Sequence, residues 1–219
     1  MSPGPVEVTI VPNGVADHVV EQAGRASADL FGRLSPDVVA RLDRYRITLQ
    51  IVPKTTRLTE LTPYRHLTGT PSFESTADRP RTWDHIRGAG GMLSGDTITF
   101  AVSEEEISRD AILDPAVADQ QFYPWFGDRF LLLHEGAHVV YDFGLSPQQQ
   151  AAVDRMFDDR KADPTAPWLK PNDYTSANSE EYFSNSVAAF FGASHSTSAD
   201  PDYSRDWLQR HDPKMFAFL

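Results

Sequence analysis

The sequence predicts an α+β fold, built as one domain or as two tightly joined lobes. Three observations carry this expectation. Two short segments alternate apolar with polar residues as half-buried strands do, several longer ones repeat apolar residues at helical spacing, and 219 residues are enough to enclose a core. With 40% hydrophobic and 23% charged residues, and 13 Gly and 16 Pro spread along the chain, collagen-like, coiled-coil and wholly disordered proteins are excluded.

The elements follow in chain order. Val15, Val19, Ala23, Leu30, Phe31 and Leu34 stand at helical spacings, and Ser35-Pro36 reads as an N-cap followed by proline at the first position of a short helix through Tyr45. Two helices are therefore expected to open the fold, and residues 1–45 are set apart as an N-terminal helical segment from a main domain at 46–219. Residues 47–52 alternate and stop at Pro53, which predicts a strand. From Pro53 to Pro80 the chain is rich in Thr and Pro without periodicity, so a long surface connection is expected. Gly88, Gly90 and Gly91 fall within four positions, which suggests a turn with positive φ or a close backbone approach; no Gly-Lys-Ser/Thr follows them, so a tight turn is expected rather than an anion-binding nest.

Residues 97–102 predict a second strand after a Ser94-Gly95-Asp96 turn, and Glu104, Glu105 and Glu106 read as the solvated first turn of a helix. Residues 127–143 are the most helix-like stretch, with Phe130, Leu131, Leu133, Ala137, Val140 and Tyr141 forming a broad apolar surface and Gly144 in the stop position. Ser146-Pro147-Gln148-Gln149 fits the capping-box pattern and opens a helix through about Lys161. A Pro-rich loop at 163–171 precedes the last strong helix, which starts at Asn178 or Ser179 and ends at Phe191.

Charge and composition narrow the function classes. Twenty Lys and Arg against 31 Asp and Glu give a net charge of −11, which argues against nucleic acid as a partner, because affinity for a polyanion comes largely from cations. Cysteine is absent, so disulfides, thiolate metal sites and cysteine nucleophiles are excluded, and any metal site must use His and carboxylate. No run approaches 18 apolar residues and the opening Met1-Ser2-Pro3-Gly4-Pro5 has no basic or apolar leader character. No membrane span and no signal peptide are expected.

The chemistry concentrates in His134-Glu135-Gly136-Ala137-His138. Two histidines four apart on a helix are offset by about 40° and about 6 Å, so both imidazoles can reach one ion while the glutamate projects beside them. A catalytic zinc needs a third protein ligand and keeps a fourth position for water. His66, His85, His195 and His211 are candidates by chemistry, and so are Glu180 and Glu181 at the start of a later helix. The extended pattern with a third histidine is ruled out, since positions 141 and 144 are Tyr and Gly.

These residues, with Tyr174-Thr175-Ser176-Ala177-Asn178-Ser179-Glu180-Glu181-Tyr182-Phe183, resemble the metallopeptidase domain of anthrax lethal factor and its smaller relatives, the bacterial Pro-Pro endopeptidases. The likeness extends to Arg81-Thr82-Trp83-Asp84, the glycines at 88–91, the strand at 97–102 and the closing Pro213-Lys214-Met215-Phe216-Ala217-Phe218-Leu219, roughly residues 45–219 in all. It implies a zincin-like two-lobe metallopeptidase, with a small mixed β-sheet, a central His-Glu-x-x-His helix and a helical C-terminal lobe. It implies one Zn2+ on His134, His138 and Glu181, because in that family a tyrosine seven residues earlier marks the ligand glutamate and so selects Glu181 over Glu180. Glu135 is then the general base and the Tyr174 hydroxyl the partner of the developing oxyanion, in an endopeptidase acting on protein or peptide substrates. A secreted or exported bacterial protein, monomeric, is expected. Substrate strands in such enzymes pair with a sheet edge, for which residues 97–102 are the candidate; Phe73 and Trp83, flanking the gap before the glycine-rich stretch, are candidates to line the cleft, with core packing the favoured role for Trp83. Two departures stand out: Asn185 where relatives carry a glutamate that orients a ligand histidine, and a stretch at 104–126 longer than in the smallest relatives. The alternative expectation is a zinc-binding, catalytically weak or inactive toxin-like domain.

Overall fold

The computed structural model describes residues 5–72, 80–108, 129–169, 175–192 and 204–219. Phe73, Tyr174, His195 and most of the stretch at 104–126 lie outside the described residues. The fold is mixed α+β, as the two periodicities require. Four strands, β1 (Val8–Val11), β2 (Arg46–Val52), β3 (Gly88–Ser94) and β4 (Thr97–Ser103), form one sheet in the order β1-β2-β4-β3. β1, β2 and β4 run parallel, and β3 pairs antiparallel with β4 through a turn at Gly95, whose φ of +62° suits glycine.

The register explains why β2 and β4 were legible. Ile47, Leu49 and Ile51 pair with Ile98, Phe100 and Val102, so a period-2 pattern puts all six on one face, each no more than 2% exposed. Helices α1 (Asp17–Phe31) and α4 (Phe130–Val139) contribute Val19, Ala23, Leu30, Phe31, Leu132 and Leu133 to the core on that face. Val52 and Ala101 face the other way, into a smaller cluster with Leu58, Tyr64, Ile86 and Ala89. The remaining helices are α2 (Pro36–Leu42), a short α3 (Glu104–Ile107), α5 (Pro147–Ala162), α6 (Ser179–Phe190), α7 (Arg205–His211) and α8 (Pro213–Phe218). Among the described residues no helix is long and apolar enough to cross a membrane.

Several expectations need correction. The two opening helices are preceded by β1, whose partner β2 lies far along the chain, so its pairing leaves no local signal. The glycine-rich stretch is neither turn nor nest: it is β3, and none of Gly88, Gly90 and Gly91 has positive φ. In consequence residues 97–102 are not an edge; β4 lies between β2 and β3, and β3 is the edge. The connection after Pro53 is not simply surface, because its short 3-10 turns bury Leu58 and Tyr64 completely. Glu104, Glu105 and Glu106 do open a helix, yet Glu106 is buried and Glu105 is paired with the buried Arg87. The helix expected over 127–143 is described from Phe130, and its end widens into a π-helical turn at Val140–Gly144.

Candidate metal centre

The His-Glu-x-x-His helix is held from two sides by glycines. A Cβ on Gly88 would lie 2.7 Å from the Glu135 Oε1, and one on Gly90 would lie 2.8 Å from the His138 Cβ, so β3 offers bare backbone where α4 passes. On the other side, a Cβ on Gly136 would meet the Leu30 side chain at 2.6 Å, which shows how closely α1 packs there. The two unspecified positions of the motif, Gly136 and Ala137, are therefore occupied by residues small enough for the helix to be enclosed.

The third group comes from α6. Asn178 caps this helix, its Oδ1 accepting from the Glu181 N–H at 2.8 Å, and Glu181 in the first turn reaches the two imidazoles. Its carboxylate oxygens lie 3.1 Å from the His134 Nε2 and 3.7 Å from the His138 Nε2, and those two nitrogens are 3.2 Å apart. The side chains of His134, His138 and Glu181 are 3%, 12% and 9% exposed, so three donor atoms converge in a largely dry place. Three such groups could hold a metal ion, and among the described residues they form the only cluster of this kind.

The charges within this group support one another. Burial opposes ionisation of Glu181, but hydrogen bonds from His134 and His138 outweigh it and hold the carboxyl at about 2. Burial likewise disfavours a charged His138, yet the Glu181 hydrogen bond and the surrounding carboxylates raise it to about 9. Glu135 is different: burial raises its carboxyl above the ordinary range, Glu181 adds to this, and the imidazoles pull against it. A carboxyl poised above its usual range beside a ligand cluster is suited to moving a proton.

The other candidates are dispersed. His66 and His211 are exposed, His85 lies within 3.2 Å of Thr82, and none joins the cluster; Glu180 is exposed beside Glu181. Trp83 packs against the smaller hydrophobic cluster, in keeping with its expected core role. The Asn185 amide donates to the Glu181 main-chain carbonyl at 2.9 Å, and its Oδ1 has no hydrogen-bond partner among the described residues. The close backbone approach that three glycines in four positions allow is what Gly88 and Gly90 provide, their strand spacing putting both on one bare face. Sequence reasoning passed over Tyr141, seven residues after His134 and so on the same helical face.

No protein-family model matches the chain, and no curated protein matches it by sequence. Among solved structures, a Pro-Pro endopeptidase from Paenibacillus alvei is similar in fold, with a TM-score of 0.55 and 17% identity over 96% of this chain and 94% of that one. At that identity the likeness establishes the fold.

Proposed function

We propose that this chain is a zinc-dependent endopeptidase of the lethal factor and Pro-Pro endopeptidase type. The observation that carries the reading is the convergence of His134, His138 and Glu181 beside the buried Glu135. Donor atoms of a tetrahedral site with bonds of about 2.0–2.1 Å stand about 3.3–3.4 Å apart. The two Nε2 atoms, 3.2 Å apart, and the Glu181 Oε2, 3.1 Å from that of His134, stand near that value, with the second carboxylate oxygen 3.7 Å from the His138 Nε2. A purely structural site would be closed by a fourth protein ligand, and among the described residues the cluster has three. The fold shared with a known endopeptidase points the same way.

Zinc, when bound, supplies Lewis acidity and lowers the pKa of a water to about 7. Glu135 accepts the proton of the attacking water and returns it to the leaving amine, a task that fits a carboxyl raised by burial. The peptide pairs by backbone hydrogen bonds with β3, the edge that runs bare-faced along α4. The Tyr174 hydroxyl donates to the carbonyl oxygen as charge develops there, a role that rests on the sequence resemblance. A metal-holding domain without peptidase activity is the competing outcome, favoured by Asn185, whose Oδ1 meets no hydrogen-bond partner among the described residues.

The test is a mass-spectrometric cleavage profile of a diverse peptide library that includes Pro-Pro sequences, run with the parent, Glu135→Ala and Glu181→Ala. Cleavage by the parent, zinc retained without cleavage in Glu135→Ala, and zinc lost in Glu181→Ala are the expected outcomes. Equal cleavage by the parent and Glu135→Ala overturns the mechanism.

A further inference from the structure

The two elements that bear the ligand side chains are tied to each other at both ends. At the start of α4, the Arg129 guanidinium donates to the carbonyl of Phe191, the residue that ends α6, at 3.1 Å. At the opposite end, the Tyr141 hydroxyl lies 3.2 Å from the Ser179 Oγ, in the first turn of α6. The helices are therefore antiparallel, and the Tyr141 tie sits three residues from His138 and two from Glu181.

Tyr141 is itself held firmly. It is 6% exposed, its ring packs on Phe183 of α6 with centroids 5.5 Å apart, and its carbonyl accepts from the Gln150 side chain of α5 at 2.8 Å. Its hydroxyl donates to the Asp154 Oδ1, also on α5, at 3.0 Å. A phenol has one hydrogen, so with that hydrogen on Asp154 the Ser179 hydroxyl must donate to the phenol oxygen. The result is a directed chain, Ser179 to Tyr141 to Asp154, joining α6 to α5 through the end of the histidine helix. Tyr141 stands in the π-helical turn, where the N–H of Leu145 reaches back to the carbonyl of Val140 at 2.8 Å, an irregularity often retained for function.

We infer that Tyr141 is a positioning residue for the metal centre: through Ser179 it sets where the first turn of α6 stands, and so where the Glu181 carboxylate meets His134 and His138. The inference rests on the metal-binding reading above and assigns Tyr141 no contact with substrate. Groups that orient metal ligands typically contribute 10–100-fold to affinity.

Tyr141→Phe keeps the ring packing and removes the hydroxyl, and Ser179→Ala removes only the arm toward α6. Zn2+ affinity is measured by competition with a chromogenic chelator, Co2+ absorption reports ligand geometry, and thermal unfolding of the metal-free proteins reports stability. Both variants are expected to bind Zn2+ about tenfold more weakly than the parent and to shift the Co2+ bands. A merely structural role would lower the metal-free unfolding midpoint and leave the affinity of the folded protein unchanged, and parent-like Zn2+ affinity in both variants overturns the inference. If Tyr141→Phe does not fold, Ser179→Ala decides by the same readout. A parent that takes up no Zn2+ overturns the metal reading itself, and the inference with it, an outcome distinct from variants that bind as the parent does.

Discussion

Glu106 shows how a single carboxyl can be stranded by its neighbours. Arg87, the nearby cation, donates two bonds to Glu105 at 2.7 and 2.8 Å and another to the carbonyl of Pro53 at 3.0 Å, so its capacity is spent. Burial then pushes Glu106 up to about 8, with Glu105 adding to the rise and Arg87 offsetting part of it, and its Oε2 has no partner among the described residues. Between the ordinary value of 4.5 and about 8 the unfolded chain has released a proton that the folded protein keeps. Stability therefore falls as pH rises through that window and levels off above it. Glu106→Gln removes the titration, and its advantage over the parent in denaturant unfolding should grow by about 2–4 kcal/mol from about pH 5 to about pH 8. Parallel pH profiles for the two proteins would show Glu106 to be ionised in the fold.

At the scale of elements, the contact between β3 and α4 does most to shape the site. Glycine is a poor strand former, so local preference at 88–91 favours a turn; the helix alongside leaves no room for side chains and overrides it. Gly90→Ala places a methyl 2.8 Å from the His138 Cβ, a backbone-proximal atom that cannot swing away. Strand or helix must shift, at about 1–3 kcal/mol by thermal unfolding, with weaker metal binding. Gly88→Ala instead meets the end of the Glu135 side chain at 2.7 Å, together with Leu131 at 2.9 Å. On the proposed mechanism that variant should lose more cleavage rate than stability, because the carboxylate can rotate away but not while keeping the place a general base would need. Equal unfolding midpoints for Gly90→Ala and the parent would place β3 farther from α4. Other elements needed no such override: the Ser146 capping box forms in both directions, at 3.2 and 2.8 Å, because both its partners are local.

At the scale of the whole molecule, the C-terminal residues close on the helix that supplies Glu181. Asp212 accepts from the Tyr182 hydroxyl at 2.6 Å, pairs with Arg160 at 3.2 Å and caps α8 through the Met215 N–H at 3.2 Å. One buried carboxylate thus joins α5, α6 and α8 through Tyr182, the residue next to Glu181. Asp212→Ala leaves Arg160 and Tyr182 without this partner and should cost about 2–4 kcal/mol in chemical denaturation, whereas Tyr182→Phe should cost about 1 kcal/mol. A near-neutral Asp212→Ala would mean that the C-terminal helices are held by their apolar contacts alone, through Trp207, Leu208 and Met215.

Order along the chain is enough to bring His134 and His138, two residues that could hold a metal ion, to one side of a helix, and to set much of the framework around them. The His134 and His138 spacing is a property of one helix, the Ser146 cap and the alternation in β2 and β4 are equally local, and a residue's neighbours in the chain settle such features. Choosing Glu181 over Glu180 as the third candidate needed a family resemblance, because a carboxylate on a second helix carries no local mark of what it will face. What Gly88 and Gly90 pack against, that β3 rather than β4 is the edge, that Glu106 is buried, and that Tyr141 links the end of the histidine helix to α6 are visible only in the assembled fold. Each depends on which distant segment lies against it, and steric exclusion, desolvation and hydrogen bonding between segments are set by the assembled fold.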